Sequence, residues 1–131
     1  MTETATPMVA TTPEETSQRF ADAVNANDLD ALMTMYEPGA SSAISATESV
    51  SGLEAIRAAL DAGVFALRPT MQLSPIHATV SGEVALVIGD WSMTGTGPDG
   101  GALELKGRYA DVVRRQADGR WLFIADNPWV G

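Results

Sequence analysis

The sequence predicts an α+β domain: three N-terminal helices packed on a curved antiparallel sheet. Apolar residues recur at helical spacing up to about residue 67, then alternate with a period of two from residue 70. Helix-start signals stand at Thr12–Glu15, Asp28 and Ser51–Glu54, and turn signals at Ser81–Gly82, 95–101 and Ala117–Gly119. With 131 residues, 45% of them hydrophobic, the chain can build one core but hardly two.

The elements follow in order. Residues 1–11 are small, polar and aperiodic, a disordered tail by composition, which leaves 12–131 as a single domain. Thr12, Pro13 and Glu15 form a capping box with proline at the first helical position. Phe20 and Val24 supply the stripe of that helix. Asp28 caps a second helix with the stripe Leu29, Leu32, Met33 and Tyr36, ended by Pro38–Gly39. A weak, irregular strand fits 40–51, and Ser51 with Glu54 forms a second capping box before Leu53, Ile56 and Leu60. Strands are expected over 71–80, 84–94, 102–116 and 121–126. In 71–80 the alternation sets Ile76, Ala78 and Val80 against Leu73, His77 and Thr79, so His77 faces away from the helices as a weak candidate base. In the last strand it sets Leu122, Ile124 and Asp126 against Trp121, Phe123 and Ala125.

Composition narrows the function. Seventeen acids against eight Lys and Arg give a net charge of −9, which argues against nucleic acid and anionic membrane as partners. Five bases, Lys106, Arg108, Arg114, Arg115 and Arg120, cluster late in the chain and read as a solvated strand face. There is no cysteine and one histidine, so disulfides, thiolate sites and an ordinary zinc site are excluded; no metal or other cofactor is expected. No apolar run approaches a membrane span, and the opening MTETATPMVATTP lacks the basic and apolar blocks of a secretory leader, so a cytoplasmic location is expected. GTGPDG at 95–100 fits a dinucleotide-binding spacing, but a strand follows it rather than a helix. It is a hairpin loop.

The segments QRFADAVNANDLDALMTMYEPGA (18–40), SGLEAIRAAL (51–60), VALVIGDW (84–91) and ADVVRRQADGRWLFIADNP (110–128) carry a resemblance. In their order and spacing they resemble the nuclear transport factor 2-like superfamily, in its SnoaL-like and ketosteroid isomerase-like branch. The resemblance implies a cone-shaped fold with an internal apolar pocket, and commonly a homodimer through the other sheet face. In the isomerase relatives a Tyr and a neutral Asp donate to the substrate oxyanion while a second Asp moves the proton. Here the Tyr position is Phe20, the second Asp falls near Ala43–Ile44 where no acid stands, and the neutral Asp is matched by Asp111. Limonene epoxide hydrolase relatives carry an acid near the position of Asp126, but their partner Arg and Asp have no match here.

The candidate acids are therefore Asp111 and Asp126. Asp111 shares a strand face with Tyr109 and Val113; if that face is the pocket, desolvation raises its pKa. A solvent-facing or salt-bridged Asp111 is the competing reading, and Asp126 could instead cap the Asn127–Pro128 turn. The expected pocket is lined by Phe20, Val24, Tyr36, Val87, Trp91, Tyr109, Val113 and Ile124. Its ligand would be a small apolar or partly polar organic molecule. The expected chemistry is cofactor-free isomerisation, cyclisation or hydration of a carbonyl or enol substrate. The alternative is a non-catalytic binding or dimerisation module. A homodimer is expected through the outer sheet face, with Trp121, Phe123 and Val112 on it.

Overall fold

The computed structural model describes residues 8–131. Three helices, α1 (Glu15–Asn25), α2 (Leu29–Met33) and α3 (Leu53–Ala62), cover one face of a curved, unclosed sheet. Its strands are β1 (Tyr36–Ala43), β2 (Ser49–Ser51), β3 (Thr70–Ser81), β4 (Val84–Thr96), β5 (Ala102–Arg115) and β6 (Trp121–Asn127). Their order is β2-β1-β6-β5-β4-β3. The meander β3 to β6 is antiparallel, while β1 joins β6 in parallel. Among the described residues no helix is long and apolar enough to cross a membrane.

Local signals explain most boundaries. The Thr12 hydroxyl accepts from Glu15 N–H at 3.3 Å, while the Glu15 carboxylate accepts from Thr11 N–H at 3.2 Å, one residue earlier than a capping box requires. Asp28 caps α2 by accepting from Ala31 N–H at 3.0 Å. The turn 97–101 joins β4 to β5 as a hairpin, with no helix after it. Late bases are spent on exposed ion pairs: Arg108 with Asp90, Arg114 with Glu37, Arg115 with Glu83 and Arg120 with Asp118.

Four local expectations need correction. The tail does not extend through residue 11. Ala10 is buried and its carbonyl accepts from Trp121 N–H, while Met8 N–H bonds Thr34; residues 1–7 lie outside the described residues. Tyr36 is not on a helix but opens β1, where its ring tilts against Phe123 at 5.2 Å. Ser51 does not cap α3: its hydroxyl pairs with Ser41 across β1 and β2 at 2.7 Å, and Gly52 at φ 90° makes the helix entry instead. The alternation of β3 breaks at a bulge between Pro75 and His77. Ile76 is exposed there, and Leu73 joins Ala78 on the core face while His77 pairs with Ile88 outside.

The core lies between the helices and the sheet around Leu32, Met35, Ile56, Val87, Val113 and Phe123. Phe20 of α1 meets Phe123 edge-on at 6.0 Å. Two cross-strand pairs on this face set a glycine opposite an aromatic residue: Gly89 faces Tyr109, and Gly107 faces Trp91. A Cβ at Gly89 would lie 2.5 Å from both the Tyr109 hydroxyl and the Ser74 carbonyl. Neither backbone nor a buried ring can retreat, so Gly89→Ala should destabilise the chain by about 1–3 kcal/mol in urea melts. An unchanged melting midpoint would mean that Tyr109 can leave its seat at little cost.

Candidate active site

A cavity of about 460 Å³ opens between α1, α3 and the inner face of the sheet. Phe20, Ala59, Leu60 and Val64 form its helical wall, while Leu73, Met93, Leu105 and Tyr109 belong to the sheet. Pro128 and Trp129 stand beside Trp91 at the far end of the chain. The polar groups gather at one place. Ser42, Asp126 and Asp111 are neighbours in register across β1, β6 and β5, and all three line the cavity.

Asp111 and Asp126 are only 3% and 8% exposed. The two acids are Cα partners on adjacent strands and face one cavity, so each disfavours ionisation of the other. Asp126 has a side-chain donor: Tyr36 gives its hydroxyl to Oδ2 at 2.7 Å, and Ser42 is its Cα partner on β1. Asp111 has only the Asn127 N–H, on Oδ1 at 3.1 Å. Burial pushes the Asp111 pKa well above the ordinary value, and repulsion from Asp126 adds to that; the Asn127 bond opposes weakly. Burial raises Asp126 too, but the bond from Tyr36 holds it back. The Tyr36 donor favours charge on Asp126, while burial favours the protonated form of Asp111. Burial beside that charge also lifts Tyr36 far above its usual pKa, so it stays a neutral donor.

A second buried pair lies nearby. The Tyr109 and Ser17 hydroxyls bond at 2.7 Å, and burial raises the Tyr109 pKa to about 12 despite that bond. No buried side-chain polar atom among the described residues lacks a partner.

The SnoaL-like domain family matches residues 17–124. The chain belongs to the SnoaL-like family. Solved structures agree on the fold, the nuclear transport factor 2-like cone. A Mycobacterium tuberculosis protein of unknown function is 20% identical with a TM-score of 0.75, covering 87% of this chain and 66% of its own. A candidate dehydratase of the same superfamily from Streptomyces avermitilis is 18% identical at TM-score 0.74, covering 90% and 94%. A candidate ketosteroid isomerase from Shewanella frigidimarina is 15% identical at TM-score 0.71, covering 86% and 90%. At these identities the likeness shows the fold alone. No curated protein sequence matches the chain.

Within this SnoaL-like fold the predicted site residues divide. Phe20, Trp91, Tyr109, Asp111 and Asp126 line the cavity. Tyr36 reaches the site from behind, through Asp126. Val24, Val87 and Val113 are instead packed in the core, because α1 and the sheet close over them. Ile124 is half-buried and outside the cavity wall, because a bulge in β6 interrupts the alternation there. Ala43 and Ile44, where an acid is missing, are in the wall and add no polar side chain. Sequence reasoning missed Ser42, Ser17 and Trp129. Only Trp129 carries a signal, an indole placed just after the last strand.

The Asp111 titration fixes a sign. A carboxyl group with a raised folded pKa stabilises the chain below its unfolded pKa of about 3.9. That contribution is lost as pH rises towards the folded value, by at most about 1.4 kcal/mol per pH unit. In Asp111→Asn the amide can donate to Asp126 and accept from Asn127 without titrating. The mutant should therefore gain on wild type between pH 5 and pH 7 in thermal melts. A mutant that loses more at pH 7 than at pH 5 would mark Asp111 as an ionised, structural acid.

Proposed function

We propose that residues 8–131 form one ligand-binding domain that catalyses cofactor-free acid–base chemistry on a neutral carbonyl or enol substrate. Isomerisation, cyclisation and hydration or dehydration all fall in this class. The observation that carries the reading is the buried Asp111–Asp126 pair, in register on β5 and β6 and opening into an apolar cavity. Asp126 takes the proton from the carbon beside the carbonyl, and the C–H electron pair becomes the enolate double bond. The carbonyl π pair moves to oxygen. Asp111 turns its O–H to that oxygen, where the growing charge strengthens the bond. The proton then returns from Asp126 to another carbon, or an adjacent leaving group departs. Tyr36 keeps Asp126 aimed throughout.

Charge supports a neutral substrate. Among the described residues no Lys, Arg or His lines the cavity, while two acids do. A carboxylate or phosphate would meet those acids uncompensated.

The test needs no knowledge of the natural substrate. In D₂O, a panel of cyclic ketones and enones should exchange protons next to the carbonyl faster with enzyme than in buffer, as read by NMR. Asp126→Asn should lower the enzymatic rate by about 10²–10⁴-fold, the usual contribution of a positioned base. Exchange at the buffer rate across the panel would leave a non-catalytic binding module as the better reading.

We further propose a homodimer through the outer sheet face, keeping Val112 there but without the two aromatic residues that the alternation suggests. Trp121 and Phe123 are buried in the core, so they cannot form that patch. Leu86, Ile88, Ala110, Val112 and Ala125 adjoin one another on the outer side of β4, β5 and β6, with Leu86 43% exposed. Leu86→Glu should convert a dimer to a monomer in light scattering at micromolar concentration. A wild-type chain that is monomeric there overturns the proposal.

A further inference from the structure

Pro128 and Trp129 line the cavity at the start of residues 128–131, which the proposed chemistry does not use. They leave β6 and run beside β5, with Val130 N–H donating to the Arg108 carbonyl at 3.3 Å and Arg108 N–H to Gly131 at 2.8 Å. A side chain adds a third tie: the Trp91 indole N–H donates to the Pro128 carbonyl at 2.8 Å. Trp91 can make that bond because it lies over Gly107, where a Cβ would come within 2.8–2.9 Å of the indole. Trp129 stands edge-on to Trp91, ring centroids 6.4 Å apart and planes at 80°.

Trp129 thus lines the cavity from a fixed base, yet 47% of it is exposed. Leu105 and Ile44, on the same wall, are each 42% exposed. Apolar surface left wet beside a cavity gains free energy when a ligand covers it. A tryptophan held by main-chain bonds and a partner ring loses little further freedom on binding. We propose that Trp129 is a specificity-determining residue of the cavity, which packs on a flat ring of the ligand while the acid pair meets the ligand's oxygen. The inference rests on the cavity being a ligand site and is independent of whether catalysis occurs there. It favours rigid ring ketones over flexible chains of the same size, since an indole edge or face matches a ring and not a mobile chain.

Prodan, a neutral naphthyl ketone whose emission moves to the blue in apolar surroundings, is the probe. A long-chain aliphatic methyl ketone, read by its displacement of prodan, is the comparison. Trp129→Ala should weaken prodan binding roughly three- to tenfold, and Trp129→Phe should retain most of the affinity. Gly107→Ala, which pushes Trp91 off its seat, should weaken prodan in the same direction. The aliphatic ketone should lose much less in Trp129→Ala. Circular dichroism checks that Trp129→Ala is folded, as expected for a half-exposed side chain. Equal prodan affinity in wild type and Trp129→Ala overturns the assignment and leaves the cavity standing as a ligand site. Equal losses for both ketones also overturn it, because Trp129 would then only exclude water. A wild-type chain that does not bind prodan overturns the cavity reading and this inference together.

Discussion

Two carboxyl groups on neighbouring strands can face the same apolar cavity only if one of them keeps its proton. Both ionised, they would combine the desolvation of two charges with mutual repulsion. Protonating one of them removes that repulsion, and burial favours the protonated form of Asp111. The remaining charge is favoured where the side-chain donor is, on Asp126, which receives Tyr36. Much of the surrounding structure follows from this need. Tyr36 must be buried next to β6, so β1 has to run alongside it.

The cavity's shape depends on a second constraint, the two glycine–aromatic pairs in β4 and β5. Gly89 lets Tyr109 lie across the sheet, which brings its hydroxyl to Ser17 and fastens α1 to the strands. Gly107 lets Trp91 do the same, and its N–H fastens residue 128. Each ring therefore covers backbone that a glycine would leave bare, and its polar tip ties down a neighbouring segment. The two pairs alternate between strands, so α1 is held at one position and residue 128 at the next. Packing and site geometry are here the same set of contacts.

The meander, the helix starts at Thr12 and Asp28, and the inward face of β5 were legible in the sequence because each depends on near neighbours. Tyr109, Asp111 and Val113 share a face by simple alternation, and the structure has them so. What escaped depends on distant partners. Tyr36 continues a helical stripe as well as it opens a strand, and only its pairing with Phe123 decides between them. Ser51 with Glu54 spells a capping box, but Ser41 on the adjacent strand claims the hydroxyl. Val24 and Val87 were sorted with the cavity because period alone separates inside from outside, not a packed interior from an open one. Ser42 stood in a stretch weak in every signal, and nothing local sets it beside Asp126.

The bulge in β6 shows why strict alternation was bound to fail at the site itself. The register runs Val113 to Phe123 and Val112 to Ala125, so Ile124 is the extra residue. In a regular strand Phe123 and Asp126 would point to opposite faces, being three residues apart. The chain needs both inside: Phe123 is fully buried against Phe20 and Tyr36, and Asp126 meets Asp111 in the cavity. Choosing either phase throughout would sacrifice the aromatic core or the second acid. One additional residue shifts the phase between them and lets a single short strand supply both. Its sequence cost is slight, since Ile124 is an ordinary strand residue and leaves no glycine or proline to mark the place. The irregularity that makes the acid pair possible is thus written in the requirements of the two faces and not in the residue that forms it.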